Sequence, residues 1–519
     1  MKRSLLGFLL VLLLALPASA QDHLATALTG LGDGFGQTAE AVERLGALGD
    51  PRAIPLLRAL QDGTLRRTPA GTVLLPDDTD AMTGAKADAA GAEGVRINNR
   101  VRQVLRGALG RLQLVSPDAV ERLAAAEAVF RTPGLENVPL LQAALARETV
   151  PRIRAQLELA LAASQLRADD PAGKRDAIAR LGTAATTEAR ALLIEARIVN
   201  PELATAINVS IAAIEQRLQL RRIAETLFQG LSLGSVLLLA ALGLAVTFGV
   251  MGVINMAHGE FVMLGAYATF MVQELCRGIP WLAPWALPLA VPAAFLLTAA
   301  AGALLERGLI RHLYGRPLET LLMTFGVGMI LQQAVRLAFG AQNREVISPA
   351  WMQGTLLLPG GIAVTQNRLW IIVFGIAVLL VVVAAIRFTR FGLEMRAVVQ
   401  NRRIAATMGI RTGRVDAMTF AFGSGLAGLA GVALSQIDNV SPNLGTGYII
   451  DSFMVVVFGG VGSLAGTLVG ALTLGVVNKM LEPYAGAVLA KVFVLVAIML
   501  FIQRRPRGLF ALKGRAAES

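Results

Sequence analysis

The chain has 519 residues, of which 55% are hydrophobic and only 16% charged, which is too apolar for a soluble protein of this length. The net charge of +12 would suit a nucleic-acid partner, but the basic excess after residue 300 lies between apolar segments, where it orients a membrane protein. We therefore expect membrane lipid, and no nucleic acid, around this chain. The single cysteine, Cys276, excludes a disulfide framework, and the scattered histidines argue against a metal centre.

The first twenty residues have the pattern of a secretory signal peptide. Lys2 and Arg3 precede an apolar run over 5–16, and small residues follow at 18–20. The apolar run is shorter than the about 20 residues that a membrane-spanning helix needs. We predict a signal peptide at 1–20 and a mature N-terminus outside the cytoplasm, in the periplasm.

Residues 21–225 have the pattern of short amphipathic helices joined by turns. Leu45–Leu60 contains a helix end, a Gly-Asp-Pro turn and a second amphipathic helix, and similar pairs recur up to residue 166. Such pairs cannot bury their apolar faces alone, which is typical of a helical solenoid resembling HEAT repeats. Between Thr64 and Gly94 the pattern gives way to polar sequence, which predicts a loop or short hairpin.

After residue 225 one long apolar stretch follows another, which predicts an all-α polytopic membrane domain over 226–505 and a cytoplasmic tail over 506–519. The stretches lie at 227–250, 254–274, 282–306, 319–339, 369–388, 417–437, 451–481 and 487–503. Arginines concentrate in the third-to-fourth and fifth-to-sixth connections and in the tail, and the positive-inside rule makes these segments cytoplasmic. An outside start and an inside end need an odd number of crossings, so we favour nine, with 451–481 broken at its glycine-rich 459–466 segment.

Few residues in this sequence suggest catalysis. No phosphate-binding loop, nucleophile elbow or zinc-protease motif occurs, so we expect no enzyme activity, cofactor or metal. His258 and Glu260 are exceptions, because ionisable groups within apolar segments are costly and often functional. Both fit a polar pathway at an interrupted helix or, equally, the cap of a helix at the membrane surface, whereas Glu306 fits a membrane-edge residue.

Glycines recur at a spacing that permits close helix contact. Gly462, Gly466 and Gly470 are four residues apart, and the 423–431 segment repeats the spacing one span earlier. Small residues on one helix face let backbones approach closely in lipid. We predict helix packing at these positions.

The polar segment 389–416 is too charged to enter the bilayer and too regular for a simple loop. Its apolar residues have helical spacing, and they are Met395, Val398, Val399, Ile404, Ala405 and Met408, before Gly409. A short amphipathic helix on the cytoplasmic face suits docking into the groove of a partner. The alternative is a solvated basic loop.

Four separated motifs resemble one transporter family. They are INMAHGEFVMLGAY, MRAVVQNRRIAATMGIRTGRV, FGGVGSLAGTLVGALTLG and RRPRGLF, in this order over about 225–512. Together they resemble permeases of the branched-chain amino acid ABC importer family. The segment LYGRPLETLLMTFGVGMILQQAVRLAFGAQN, with an exported N-terminal domain, resembles the urea permeases of that family.

The resemblance implies a bacterial inner-membrane permease subunit that works with a second homologous permease, two ABC ATPase subunits and a periplasmic substrate-binding protein. It implies that the 389–416 segment docks an ATPase, although the Glu-Ala-Ala signature of many importers is missing. The docking residues would be Glu394, Arg396, Arg402, Arg403, Ala405, Ala406 and Gly409. A urea pathway needs hydrogen-bonding groups, and the candidates are Asn255, His258, Glu260, Thr324, Gln332 and Gln333.

Two alternatives remain open. The same architecture would serve branched-chain amino acids or short amides instead of urea. A passive urea channel belongs to another class, and it would have no use for a docking segment.

Overall fold

The computed structural model describes residues 26–510 except 49, 51, 70, 82, 84 and 359. The predicted signal peptide and the tail after residue 510 lie outside the described residues. The chain divides into two compact units, Met1–Gln219 and Leu220–Ser519. The domain bounds of 21–225 and 226–505 stay a prediction.

The first unit is mainly helical, with one small sheet. Its elements in chain order are α1 (Phe35–Leu48), α2 (Ala53–Gln61), β1 (Arg66–Arg67), β2 (Val73–Leu74), β3 (Glu93–Gly94), α3 (Asn99–Leu112), α4 (Ala119–Arg131), α5 (Val138–Arg147), α6 (Pro151–Gln165), α7 (Pro171–Leu181) and α8 (Thr187–Val199). Helix starts agree with local sequence: Asp118 and Asp170 accept backbone N–H bonds at the starts of α4 and α7.

Two apolar clusters form the interior of this unit. One joins α1, α2 and α3, and the other joins α4 to α8. The region predicted as a loop or short hairpin instead contains a three-stranded antiparallel sheet in the order β2-β1-β3. Helix α1 packs mainly on α3, and α6 packs on α4, α5 and α7. The predicted helical solenoid resembling HEAT repeats stays a prediction.

The second unit is a helical bundle with a small hairpin. The elements that follow α8 in chain order are α9 (Ala204–Met251), α10 (His258–Arg277), α11 (Ala286–Gly308), α12 (Pro317–Phe339), β4 (Thr355–Leu358), β5 (Ile362–Thr365), α13 (Gln366–Phe388), α14 (Arg390–Gln400), α15 (Arg402–Thr407), α16 (Thr412–Leu434), α17 (Leu444–Gly459) and α18 (Leu464–Arg504). The division between the two units falls within α9.

Helices α9 and α16 form the centre of the bundle. Among the described residues, six helices are long and apolar enough to cross a membrane: α9, α11, α12, α13, α16 and α18. The most apolar windows of α9 and α16 are 83% buried, whereas those of the other four are only 17–22% buried. The fold is therefore an all-α polytopic membrane domain in which two central helices are surrounded by helices with apolar outer faces.

The chain reverses direction twice near its C-terminal end. The turn at 460–463 separates α17 from α18, and positive φ angles at Gly460 and Gly462 permit it. Gly486 interrupts α18 with φ 77° and ψ 161°. Gly466 lies against Gly459, whereas Phe501, beyond the break, stacks on Phe458 with ring centroids 5.0 Å apart.

The two halves of α18 are consequently antiparallel, because the second half returns to the end of α17 from which the first half departs. Counting these halves separately, and including α10 and α17, gives nine helices of the bundle among the described residues, and the nine crossings that the parity argument favours stay a prediction. The glycine-rich break predicted within 451–481 is present.

Contacts between connections define the two ends of the bundle. The 460–463 turn packs on Gly249 at the end of α9. The final described residues return there too, since Leu509 N–H donates to the Phe458 carbonyl (2.9 Å) and Phe510 N–H to that of Gly459 (3.1 Å). We term this the basic end; it comprises 252–257, 309–316, 389–411, 460–463 and 505–510. The opposite end holds the β4–β5 hairpin and the 435–443 connection.

Candidate functional site

The 389–411 connection at the basic end forms two short helices rather than the single helix that the sequence predicts. Thr389 caps α14 by accepting from the Gly392 N–H (3.2 Å). Asn401 then leaves the helical conformation and caps α15, accepting from the Ile404 N–H (3.0 Å). Gly409, with φ +87°, ends the segment.

The two helices have distinct inner and outer faces. Met395, Val398 and Ala405 are buried against the bundle. Ile404 is 60% and Met408 78% exposed, so two large apolar side chains stand in solvent. The remaining exposed residues of the predicted docking set are Glu394, Arg396, Arg402, Arg403, Ala406 and Gly409. The outer face of α15 is thus apolar and bordered by charge.

Arg402 differs from the other predicted docking residues, because its guanidinium binds a buried side chain of the bundle, although 44% of the Arg402 side chain is exposed. It donates to both carboxylate oxygens of Asp416 on α16, with 3.1 Å to Oδ1. Its Cζ lies 5.0 Å from the centre of the Tyr314 ring. Burial raises the pKa of the Tyr314 hydroxyl, which donates to Glu306 Oε1 at 2.9 Å. Glu306 is therefore part of a buried network as well as a helix-end residue.

Three of the predicted pathway residues lie together where α9 gives way to α10. The chain leaves the helix at Gly252 (φ +66°) and re-enters it at His258. Thr324 on α12 accepts from the Met256 N–H at 3.1 Å, and Asn255 Oδ1 accepts from the Ala257 N–H at 3.0 Å. Within the part of the chain that the structure describes, Asn255 Nδ2 has no hydrogen-bond partner, and neither has Glu260 Oε2.

The other three predicted pathway residues lie elsewhere. His258 is fully buried and its Nε2 is 2.8 Å from the Ala240 carbonyl oxygen on α9, away from α12. Gln332 belongs to the opposite end, where it donates to Asn443 Oδ1 at 2.9 Å. Gln333, its neighbour, is exposed. The six residues therefore do not form one site.

The glycines at four-residue spacing have different surroundings. Gly466 and Gly470 face α17, where added β-carbons would lie 2.1 Å and 2.9 Å from carbonyl oxygens. Gly462 precedes the helix and packs on Gly249 of α9. The expectation that all three share one helix face is wrong for Gly462, because the helix begins only at Leu464.

Sequence reasoning missed an ion pair between two helices of the bundle, in which the carboxylate is buried and the lysine is about half exposed. Lys491 Nζ in the second half of α18 lies 3.0 Å from Asp451 Oδ2 on α17. Each is an isolated charge in an apolar stretch, and that isolation is the signal that could have identified them. The pair links α17 to the returning half of α18.

Comparison with known proteins identifies the membrane unit. A family described as branched-chain amino acid transport system, permease component, matches residues 226–503, just over half of the chain. The chain belongs to this permease family. This confirms the family that the four motifs predict, and membership makes the chain a transporter subunit rather than an enzyme.

Individual relatives agree with this assignment. The high-affinity branched-chain amino acid transport system permease protein LivH of Escherichia coli K12 is 31% identical over 297 residues, covering 55% of this chain and 94% of LivH. The corresponding permease BraD of Pseudomonas aeruginosa is 29% identical over 293 residues, covering 55% and 94%. The ribose import permease RbsC of Bacillus subtilis is 31% identical over 124 residues, covering 22% and 38%. No solved structure matches this permease.

Proposed function

We propose that this permease is the membrane-spanning subunit of an ATP-driven importer, most suited to urea, with its N-terminal unit in the periplasm and its C-terminus in the cytoplasm. In this proposal a second homologous permease completes the pathway, two separate ABC ATPase subunits drive it, and a periplasmic binding protein supplies the substrate. The sequence has no phosphate-binding loop of its own, which is consistent with hydrolysis on partner chains.

The outer face of α15 is the observation that carries this proposal. Ile404 and Met408 are large apolar side chains that are exposed to solvent. Arg403 is next to Ile404 in the chain, and none of the carboxylates among the described residues forms an ion pair with it. An apolar centre with a charged rim is the usual composition of a protein interface. A passive channel would have no need of such a surface.

The distribution of charge supports the orientation. Arginines crowd the basic end at 307–316, 387–414 and 504–507, whereas the β4–β5 hairpin at the opposite end contains none. By the positive-inside rule the basic end faces the cytoplasm. The same orientation leaves the start of α9 on the periplasmic side.

Cysteine labelling tests the orientation. In a Cys276→Ser background, Arg403→Cys and Leu357→Cys are treated with a membrane-impermeant maleimide on intact spheroplasts. We expect label on residue 357 at once, and on residue 403 only after permeabilisation. Immediate labelling at 403 alone would reverse the orientation and rule out cytoplasmic docking.

The polar cluster supports a small neutral substrate. Asn255 Nδ2 is a hydrogen-bond donor and Glu260 Oε2 a carboxylate oxygen, and no cation among the described residues pairs with Glu260. Urea offers a carbonyl group to such a donor and N–H groups to such an acceptor without adding charge. An amino acid could pair its α-ammonium group with Glu260, but its α-carboxylate would also need a cation, and none among the described residues forms an ion pair with this cluster.

Branched-chain amino acids, or short amides, are the second candidate, because LivH and BraD are named for branched-chain amino acid transport. Uptake of labelled urea and labelled leucine into proteoliposomes holding the complete transporter separates the candidates. We expect ATP-dependent urea uptake that falls in Glu260→Ala and not in the exposed control Gln333→Ala. Leucine uptake alone would favour the second candidate, and urea uptake without ATP would indicate a passive channel.

A further inference from the structure

Four polar side chains from four different segments form one continuous network at the basic end. Glu306 ends α11, Tyr314 lies in the 309–316 connection, Arg402 begins α15, and Asp416 is in the second turn of α16. The contacts run in one line, from Glu306 through the Tyr314 hydroxyl and ring to the Arg402 guanidinium and on to the Asp416 carboxylate. We term these residues the Arg402 network.

Arg402 is fixed on two sides. The Asp416 side chain is fully buried, and both of its oxygens accept from this one guanidinium. A planar guanidinium can form such a forked bond and stack on an aromatic ring at the same time, which a lysine ammonium cannot do. A buried carboxylate needs this partner, so the start of α15 is held to α16.

The short helix α15 therefore has an inner side that contacts the bundle and an outer side that is exposed to solvent. Ala405 is buried against the bundle and the half-exposed Arg402 binds it through Asp416, whereas Arg403, Ile404 and Met408 face outward. A partner that moves the outer face must also move Arg402, because α15 has only six residues between its capping Asn401 and its end. The displacement would reach α16 through a bidentate ion pair.

Helix α16 is well placed to pass such a displacement on. It is one of the two central helices, and at two of its glycines it lies directly against α10 and α11. An added β-carbon at Gly428 would lie 2.3 Å from Thr298 Oγ1 on α11, and one at Gly431 would lie 2.1 Å from the Val262 carbonyl oxygen on α10. Closely packed interiors shift as units rather than deform continuously.

We propose that Arg402 is a positioning residue that couples ATPase movement at α15 to α16 and α11, instead of contacting the ATPase as the sequence motif implies. This inference rests on the proposed function. It assigns docking to Arg403, Ile404 and Met408, and transmission to Arg402, Tyr314, Asp416 and Glu306.

The assembled transporter in proteoliposomes tests the assignment. The variants are Arg402→Gln, Asp416→Asn, the double variant, and the neighbouring Arg403→Gln as the matched control. Three quantities are measured: the ATPase retained by the permease, the rate of ATP hydrolysis, and the substrate molecules transported per ATP. The third quantity reports coupling and does not change when only the amount of folded protein falls.

We expect Arg402→Gln and Asp416→Asn to lower the transport-to-hydrolysis ratio roughly tenfold, a typical size for coupling between sites. Arg403→Gln should weaken ATPase retention and leave the ratio at the wild-type value. The double variant removes the unpaired buried charge, so it should restore the yield of folded permease while the ratio stays low.

An unchanged ratio in Arg402→Gln, or a wild-type ratio in the double variant, would overturn the inference and leave the ion pair a purely structural role. If a single variant does not assemble, the double variant decides the question by its ratio. Failure of the wild-type permease to retain an ATPase would be a different result, since it would refute the proposed function itself.

Discussion

Removing the apolar side chains from the outer face of α15 should weaken ATPase docking by a large factor. Full burial of a side chain such as isoleucine or methionine contributes about 1.5–3 kcal/mol. Ile404 is 60% and Met408 78% exposed, so a partner that covers them gains most of this value at each position. Alanine retains one methyl group, and the double variant Ile404→Ala/Met408→Ala should therefore lose about 1.5–3 kcal/mol of binding free energy, a roughly 10- to 150-fold rise in Kd.

The assay is titration of the purified ATPase against the permease in nanodiscs. The matched control is Leu356→Ala/Leu357→Ala in β4, which removes two aliphatic side chains that are 45% and 55% exposed at the opposite end. We expect no change of Kd in the control. Equal affinities for the wild type and the α15 variant, or equal losses in both variants, would refute α15 as the docking surface.

Three further predictions concern packing and buried charge. Gly431→Ala places a β-carbon 2.1 Å from a carbonyl oxygen of α10 and should lower the free energy of unfolding by about 1–3 kcal/mol, read as a lower melting temperature in detergent. The hydrogen bond from Arg122 holds the pKa of Glu148 below its usual value, so Arg122→Gln should destabilise the first unit by about 3 kcal/mol at pH 7, measured by limited proteolysis. Lys491→Met leaves the buried carboxylate of Asp451 without its partner and should lower stability by about 1–3 kcal/mol, measured by thermal unfolding.

Each of these three predictions has a control variant or condition and an outcome that would contradict it. Gly326→Ala has open space around the added carbon and should not destabilise, so a loss equal to that of Gly431→Ala would contradict the packing argument. Because the pKa of Glu148 is lowered in the folded state, the stability from its pair is present above the unfolded value of about 4.3 and is lost as pH falls through the folded value. The difference caused by Arg122→Gln should then narrow below about pH 4, and a constant difference would count against the pair.

For the third prediction, Asp451→Asn/Lys491→Met should recover much of the stability, because the buried charge of Asp451 is removed together with its partner. A double variant as unstable as Lys491→Met would show that packing rather than charge is responsible.

The membrane domain was predictable because its signals are local in sequence. Long apolar stretches correspond to the bundle helices, and the glycines at 460 and 462 mark the turn within 451–481. Asn401 is a capping residue that could have indicated the division of the docking segment. In contrast, the strands of two residues at 66–94 are too short for any alternating pattern to be recognised.

Contacts between distant elements could not be read from the sequence in the same way. Arg402 looked like one more exposed arginine, since its partner Asp416 lies in the next helix and Tyr314 nearly 90 positions earlier. Thr324 and Gln332 both lie on α12, yet eight residues of helix separate them by about 12 Å, and this places them towards different ends. The residue types identified Arg402, Thr324 and Gln332 as candidates for a functional role. Only the folded structure shows that they lie in different surroundings.

The return of residues 509–510 to the end of α17 has a practical consequence for expression work. A reporter or affinity tag fused directly after Arg504 would remove the two backbone hydrogen bonds to Phe458 and Gly459. It would also remove Gly508, whose close contact with Gly460 leaves no space for a side chain. Fusions that retain the chain through Phe510 keep these backbone contacts. In a series of truncations across 504–510, we expect the yield of folded permease to fall abruptly once these contacts are removed.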